Sequence, residues 1–140
     1  MSSFDDYEII QHTADIGIKV KGRTFPKAIE KSILAMSDLM LGNMKIGSSE
    51  EKEFIIEEND LEIALVSILE EVLYIFEHHK FGVSFCSVNI KNNEYRVHLN
   101  GAHYDPGEIT DGTEIKAVTY HQLKIKRNPD NWIVSVIFDI

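Results

Sequence analysis

Disulfides, zinc cages and membrane-spanning helices are all missing from this sequence. It has a single cysteine, Cys86. That excludes an internal disulfide framework and a thiolate-rich zinc site. Cys86 sits in Val83-Ser84-Phe85-Cys86-Ser87-Val88, a strand pattern in which a small packed thiol is the expected role. No apolar stretch reaches the roughly 18 residues that a transmembrane helix needs. The start, Met1 to Asp6, is acidic and lacks the basic and apolar regions of a signal peptide, so a cytoplasmic protein is expected. Proline is scarce, at 3 residues. No repeat, low-complexity tract or Pro/Gly/Ser-rich linker interrupts the chain. Basic residues are the scarcer charge, with 14 Lys and Arg against 23 Asp and Glu and a formal net charge of −9. Nucleic-acid binders show the opposite balance, so any nucleic-acid role would fall to a basic partner.

What remains is ordinary for a globular domain: 140 residues, 44% of them apolar and 26% charged. The whole chain, 1–140, reads as one domain. Tyr7–Gln11 is a short strand. Asp15–Lys21 alternates, with Ile16, Ile18 and Val20 on one face and Lys19 and Lys21 on the other. Thr24 and Pro26 open a helix that runs to about Leu41, where Gly42 stops it. Glu53–Glu57 is a strand. A second helix starts at a capping box formed by Asn59 and Glu62. Its stripe is Leu61, Leu65, Ile68, Leu69, Val72, Leu73 and Phe76, and Gly82 ends it. Val83–Lys91 and Glu94–Leu99 form a hairpin about Asn92-Asn93. Asn100–Gly112 reads as a long polar loop, a length that leans towards function. Glu114–Lys126 and Trp132–Ile140 are the last strands. The final one is apolar on both faces and is expected to be central and covered on both sides. The pattern predicts an α+β fold: antiparallel-rich sheets with two main helices.

Three segments could carry chemistry. His12-Thr13-Ala14-Asp15 supplies imidazole, hydroxyl and carboxylate at a strand entrance, as a site or as a turn. Asp139 ends an apolar strand and needs either a partner or solvent. The terminal carboxylate of Ile140 adds oxygen beside it. Lys116 could reach solvent along its stem or pair with Asp15 or Asp139. Two aspartates and a lysine suggest a small acidic site for a hard divalent cation, Ca²⁺ or Mg²⁺/Mn²⁺. Other motifs fail. There is no dinucleotide fingerprint, phosphate loop or nucleophile elbow. His78-His79 lacks the i, i+4 spacing of a zinc-protease helix and suits a helix end. His98 and His103 have no assigned role, and Asp105 and Asp111 read as turn formers.

Three segments together resemble the archease family. They are His12-Thr13-Ala14-Asp15-Ile16-Gly17, Gly112-Thr113-Glu114-Ile115-Lys116-Ala117-Val118-Thr119-Tyr120-His121 and Val136-Ile137-Phe138-Asp139-Ile140. Their order and separation cover nearly the whole chain. The resemblance implies an accessory protein, not an enzyme. It would activate the RtcB-type RNA ligase of tRNA splicing by promoting GTP-dependent guanylylation and repeated turnover. tRNA would be reached only through that ligase, and no membrane is involved. It also implies strands in more than one layer around the helices. The family's metal-binding positions fall on Asp15 and Asp139, with Ile140 beside them. Its lysine falls on Lys116, and His12 lies in the first motif. A histidine that many members carry before the lysine segment is absent from Gly107–Asp111. Two other readings stand beside this one. One is a stand-alone metal-dependent hydrolase, which lacks a general base and a phosphate loop. The other is a chaperone-like binding module with a structural cation.

Overall fold

The computed structural model describes residues 6–11 and 14–140. Among these residues seven strands and two α-helices run in the order β1 (Glu8–Gln11), β2 (Asp15–Gly22), α1 (Phe25–Leu41), β3 (Glu50–Glu57), α2 (Leu61–His79), β4 (Phe81–Lys91), β5 (Glu94–His103), β6 (Ala117–Arg127) and β7 (Trp132–Asp139). They form two antiparallel sheets, β1-β2-β7-β6 and β3-β5-β4. Helix α1 packs on β2 and β7 of the first sheet and on β4 of the second; α2 packs on β6 and on all three strands of the second. The helices are thus a middle layer between two sheets, and the α+β fold is of this layered kind.

That position explains the composition of α1. A helix with one neighbour shows an apolar stripe, whereas one covered on two sides is buried nearly all round. Ala28, Ile29, Ser32, Ile33, Ala35 and Met36 are fully buried. The one hydroxyl in that set is satisfied, because Ser32 Oγ donates to the Ala28 carbonyl at 2.9 Å. Thr24 caps the helix as expected, its hydroxyl accepting from the Lys27 N–H at 3.2 Å. Gly42 follows the last turn with φ of 62°.

Helix α2 differs from expectation at both ends. Its N-cap is Asp60, whose carboxylate accepts from the Ile63 N–H at 3.0 Å. Asn59, one residue earlier, lies outside the cap. The helix stops at Lys80, which takes the left-handed conformation with φ of 52°. Strand β4 then begins at Phe81, so Gly82 is already a strand residue.

The β4–β5 hairpin closes with Lys91 opposite Glu94 around Asn92-Asn93, as the sequence indicates. The expected long loop is shorter, because β5 continues to His103. Tyr104 is then buried, stacks on Phe76 and donates from its hydroxyl to the Phe76 carbonyl at 2.6 Å. From there the chain crosses to the end of α1. The Thr113 N–H meets the Leu39 carbonyl at 2.8 Å and the Asn43 N–H meets the Thr110 carbonyl at 3.2 Å. The connection therefore occupies one carbonyl group that the helix end leaves free, that of Leu39.

Strand β7 is interior, as expected, and Val134, Val136 and Phe138 are fully buried on its helix-facing side. The helices cover only that side, so the expectation of cover on both sides is corrected. On the other side Ile137 is buried because Gly17, directly opposite, leaves room for it.

Candidate functional site

Asp15 opens β2 and Asp139 closes β7, and the register sets them directly opposite each other. The Ile140 N–H donates to the Ala14 carbonyl at 3.3 Å. That bond makes Ala14 and Ile140 the hydrogen-bonded pair and Asp15 and Asp139 the non-hydrogen-bonded one. Side chains approach more closely in pairs of the second kind, where Cα atoms are about 4.5 Å apart. Both carboxylates project from the sheet face away from the helices, since Ile16 and Phe138 point into the core. Like charges directly opposite are destabilising. Asp15 is half-buried, and its Oδ1 is buried without a hydrogen-bond partner among the described residues. A buried acceptor left unmatched costs about 1 kcal/mol or more.

The lysine segment arrives at the same place. The Lys116 N–H donates to the Asp139 carbonyl at 2.8 Å, and Ala117 is the register partner of Asp139 in β6. Ile115, only 2% exposed, anchors the approach. The Lys116 side chain is exposed and forms no ion pair with Asp15 or Asp139 among the described residues. Of the two possibilities for Lys116, reaching solvent or pairing with an aspartate, the first is the one seen, although the main chain places Lys116 next to Asp139. His12 lies outside the described residues. Asp15, Asp139, Ile140 and Lys116 thus meet at one end of the first sheet.

This arrangement fits a hard cation. Two facing carboxylates, one with a buried oxygen that no described residue engages, offer the oxygen ligands that Ca²⁺ or Mg²⁺ takes. Ile140, the residue after Asp139, offers main-chain oxygen as well. Among the described residues no set of three or more His, Cys, Asp or Glu side chains is arranged to hold a metal ion. Such an ion would therefore rely on the two aspartates plus main-chain oxygen and solvent.

Beside the site β6 carries an irregularity that the sequence does not reveal. Thr119 pairs with Ile137 and Lys124 with Ser135, so Tyr120 to Leu123 stand opposite a single residue of β7. Gln122 in this bulge has φ of 52°, and Tyr120 is 54% exposed. Thr119 fixes the base of the bulge, its hydroxyl donating to the Ile137 carbonyl at 2.8 Å and accepting from the His121 N–H at 3.3 Å. Bulges of this kind re-aim side chains and are frequent next to working sites.

The remaining candidates have structural roles. Cys86 is 1% exposed, and burial pushes its thiol up, away from the reactive thiolate. Asp105 accepts from the Gly107 N–H at 3.0 Å, and Asp111 accepts from Asn43 Nδ2 at 2.8 Å. His98 bridges two glutamates on the outer face of the second sheet, with Nε2 2.8 Å from Glu51 and Nδ1 3.5 Å from Glu53. The hydrogen bond to Glu51, more than that to Glu53, holds its proton more tightly than usual. Arg96, 3.0 Å away, and then His98 keep Glu53 below the usual carboxylate range.

The chain has relatives over nearly its full length. The archease protein family matches residues 7–140. A protein archease from Pyrococcus furiosus is 37% identical, with 96% of this chain and 98% of the relative covered. One from Methanosarcina barkeri is 36% identical, with 96% and 95% covered. Two solved structures share the fold. The solution structure of protein 1598 from Methanobacterium thermoautotrophicum has a TM-score of 0.79 and 25% identity, with 96% of this chain and 99% of that chain covered. The crystal structure of an archease described as a possible chaperone, from Thermotoga maritima, has a TM-score of 0.63 and 26% identity, with 94% of each chain covered.

Proposed function

We propose, starting from the fact that this chain belongs to the archease family, that it is an accessory protein that activates an RtcB-type RNA ligase. It promotes the ligase's GTP-dependent guanylylation and repeated turnover, and it works through the Asp15–Asp139 pair. The observation that carries this reading is the apposition of those two carboxylates, with a buried Asp15 Oδ1 that has no hydrogen-bond partner among the described residues. A fold holds two like charges together at a cost. It gains only where a positively charged group sits between or above them.

Asp15 and Asp139 would hold a divalent cation, with main-chain oxygen of Ile140 completing one side. When bound, such an ion would supply positive charge to neutralise a triphosphate. The chain's own groups do the rest. The β2–β7 pairing fixes the spacing of the two carboxylates. The Lys116 N–H bond to the Asp139 carbonyl brings an exposed ammonium to the rim, where it can meet a phosphate oxygen or an acidic ligase side chain. The net charge of −9 favours encounter with a basic RNA-handling partner.

The reading is tested with purified ligase, RNA ends and GTP under multiple turnover. The wild-type protein is expected to raise the number of ligation cycles. Asp15→Ala and Asp139→Ala are expected to lose that effect while keeping their circular-dichroism spectra. Stimulation retained by both folded variants would contradict it.

A further inference from the structure

The net charge conceals a basic surface. On β2, Lys19 and Lys21 project away from the helices, on the face opposite Ile18 and Val20. The register places Lys19 and Lys124 on either side of Ser135, and Lys21 and Lys126 on either side of Ile133. Four lysines thus form a two-by-two array on the outer face of the first sheet. Neighbours along a strand are about 6.6 Å apart, and those across β7 about 9.5 Å. Lys21, Lys124 and Lys126 are exposed and Lys19 is half-buried. None of the four takes part in an ion pair among the described residues. At the β1 end two carboxylates adjoin the array: Glu8, opposite Lys19, and Asp6, which lines a surface hollow with Glu8, Lys19 and Lys21 and is paired with Lys31.

Lysines on a sheet edge discourage strand addition. That explains Lys124 and Lys126 on the edge strand β6. It does not explain Lys19, which stands between β1 and β7, although Lys21 lies just beyond the β1 pairing. Part of the acidic charge is also remote from the array. The glutamates of the second sheet, Glu51, Glu53 and Glu57, lie beyond the helix layer. A helix is about 10 Å thick, more than the screening length of about 8 Å at physiological salt. The array also shares a face with the acidic pair, since Ser135 is four residues, about 13 Å, along β7 from Asp139.

We propose that this lysine array binds the phosphodiester backbone of single-stranded RNA and lays it along β7 towards the Asp15–Asp139 end of the same face. Phosphate binding follows from the array itself. The choice of RNA over another polyanion rests on the ligase reading above. Lysine ammonium groups are point charges suited to phosphate, and the strand spacing allows neighbouring lysines to meet successive phosphates of an extended chain.

The test is fluorescence anisotropy with a short labelled single-stranded RNA and the full chain, without ligase, so that its outcome is separate from that of the turnover assay. Four phosphate contacts predict a log–log salt slope of about −3, and about 50-fold weaker binding at 200 than at 50 mM salt. Lys21→Ala/Lys124→Ala is expected to reduce the slope by about 1.4. Asp139→Asn is expected to bind at least as tightly as wild type. Circular dichroism checks each variant's fold. An unaltered slope in the folded lysine variant, or no binding by the wild type at low salt, would overturn the proposal. So would polyglutamate bound in preference to RNA.

Discussion

Asp15 and Asp139, 124 positions apart in the chain, are direct cross-strand partners in the non-hydrogen-bonded register of β2 and β7. Their apposition is a property of strand pairing, and it gives the molecule a place where a carboxylate is more useful than it is stabilising.

In the presence of a chelator, Asp139→Asn should therefore be no less stable than wild type, and up to about 1 kcal/mol more stable, because a facing like-charge pair is relieved. Added Ca²⁺ should reverse the order. An ion that binds only the folded state raises the wild-type melting temperature and leaves that of the variant unchanged. Differential scanning fluorimetry with and without the ion reads both effects.

Gly17 lies two residues from Asp15 on the same face. A Cβ there would stand 2.6 Å from Ile137 Cδ1 and 3.2 Å from the Val136 carbonyl oxygen. Gly17→Ala should cost about 1–2 kcal/mol by overpacking. Adding Ile137→Val should recover much of that loss. Urea denaturation of both single variants and the double variant gives the coupling between the two positions.

Tyr104 pins the connection that leads to Lys116. Tyr104→Phe removes its 2.6 Å bond to the Phe76 carbonyl and should cost about 1 kcal/mol. Burial, and then the charge of Glu77, push the Tyr104 hydroxyl up to about 12. The folded state thus holds this proton more tightly than the unfolded one. Its contribution is complete below the unfolded value of about 10 and is lost as pH rises towards 12. Denaturation series at pH 9 to 11.5 should show a steeper loss for wild type than for Tyr104→Phe.

His98 works nearer neutrality. Its proton affinity is raised, first by the bond to Glu51. Stability from this cluster is therefore complete below about pH 6.5 and declines as pH rises through the higher folded value. His98→Gln should flatten the pH profile of unfolding between 6 and 8. The effect is small, because the ring is 33% exposed.

The sequence reveals what depends on neighbours along the chain. Thr24 and Pro26 mark the start of α1, and Asn92-Asn93 marks the hairpin. Where two adjacent residues can both cap, the pattern does not choose: Asp60, not Asn59, has the extended backbone and the accepting carboxylate. A stop need not be glycine either, since Lys80 adopts the left-handed conformation ahead of Gly82. The site is legible only in part. Asp15, Lys116 and Asp139 stand out as residue types and as parts of a family pattern. Their meeting depends on β7 lying between β2 and β6, a long-range pairing that no local spacing encodes. The Tyr120–Leu123 bulge is hidden for a related reason: β6 is mixed on both faces, so an extra stretch leaves the alternation no worse. The lysine array is hidden too, because two period-2 pairs from opposite ends of the chain form one surface only after β7 joins them.

The most direct measurement follows transfer of labelled guanylate from GTP to the ligase, with excess divalent metal, in the presence of wild-type protein or folded Asp139→Ala. The account predicts acceleration by wild type and none by Asp139→Ala. Equal acceleration by the two proteins would contradict it.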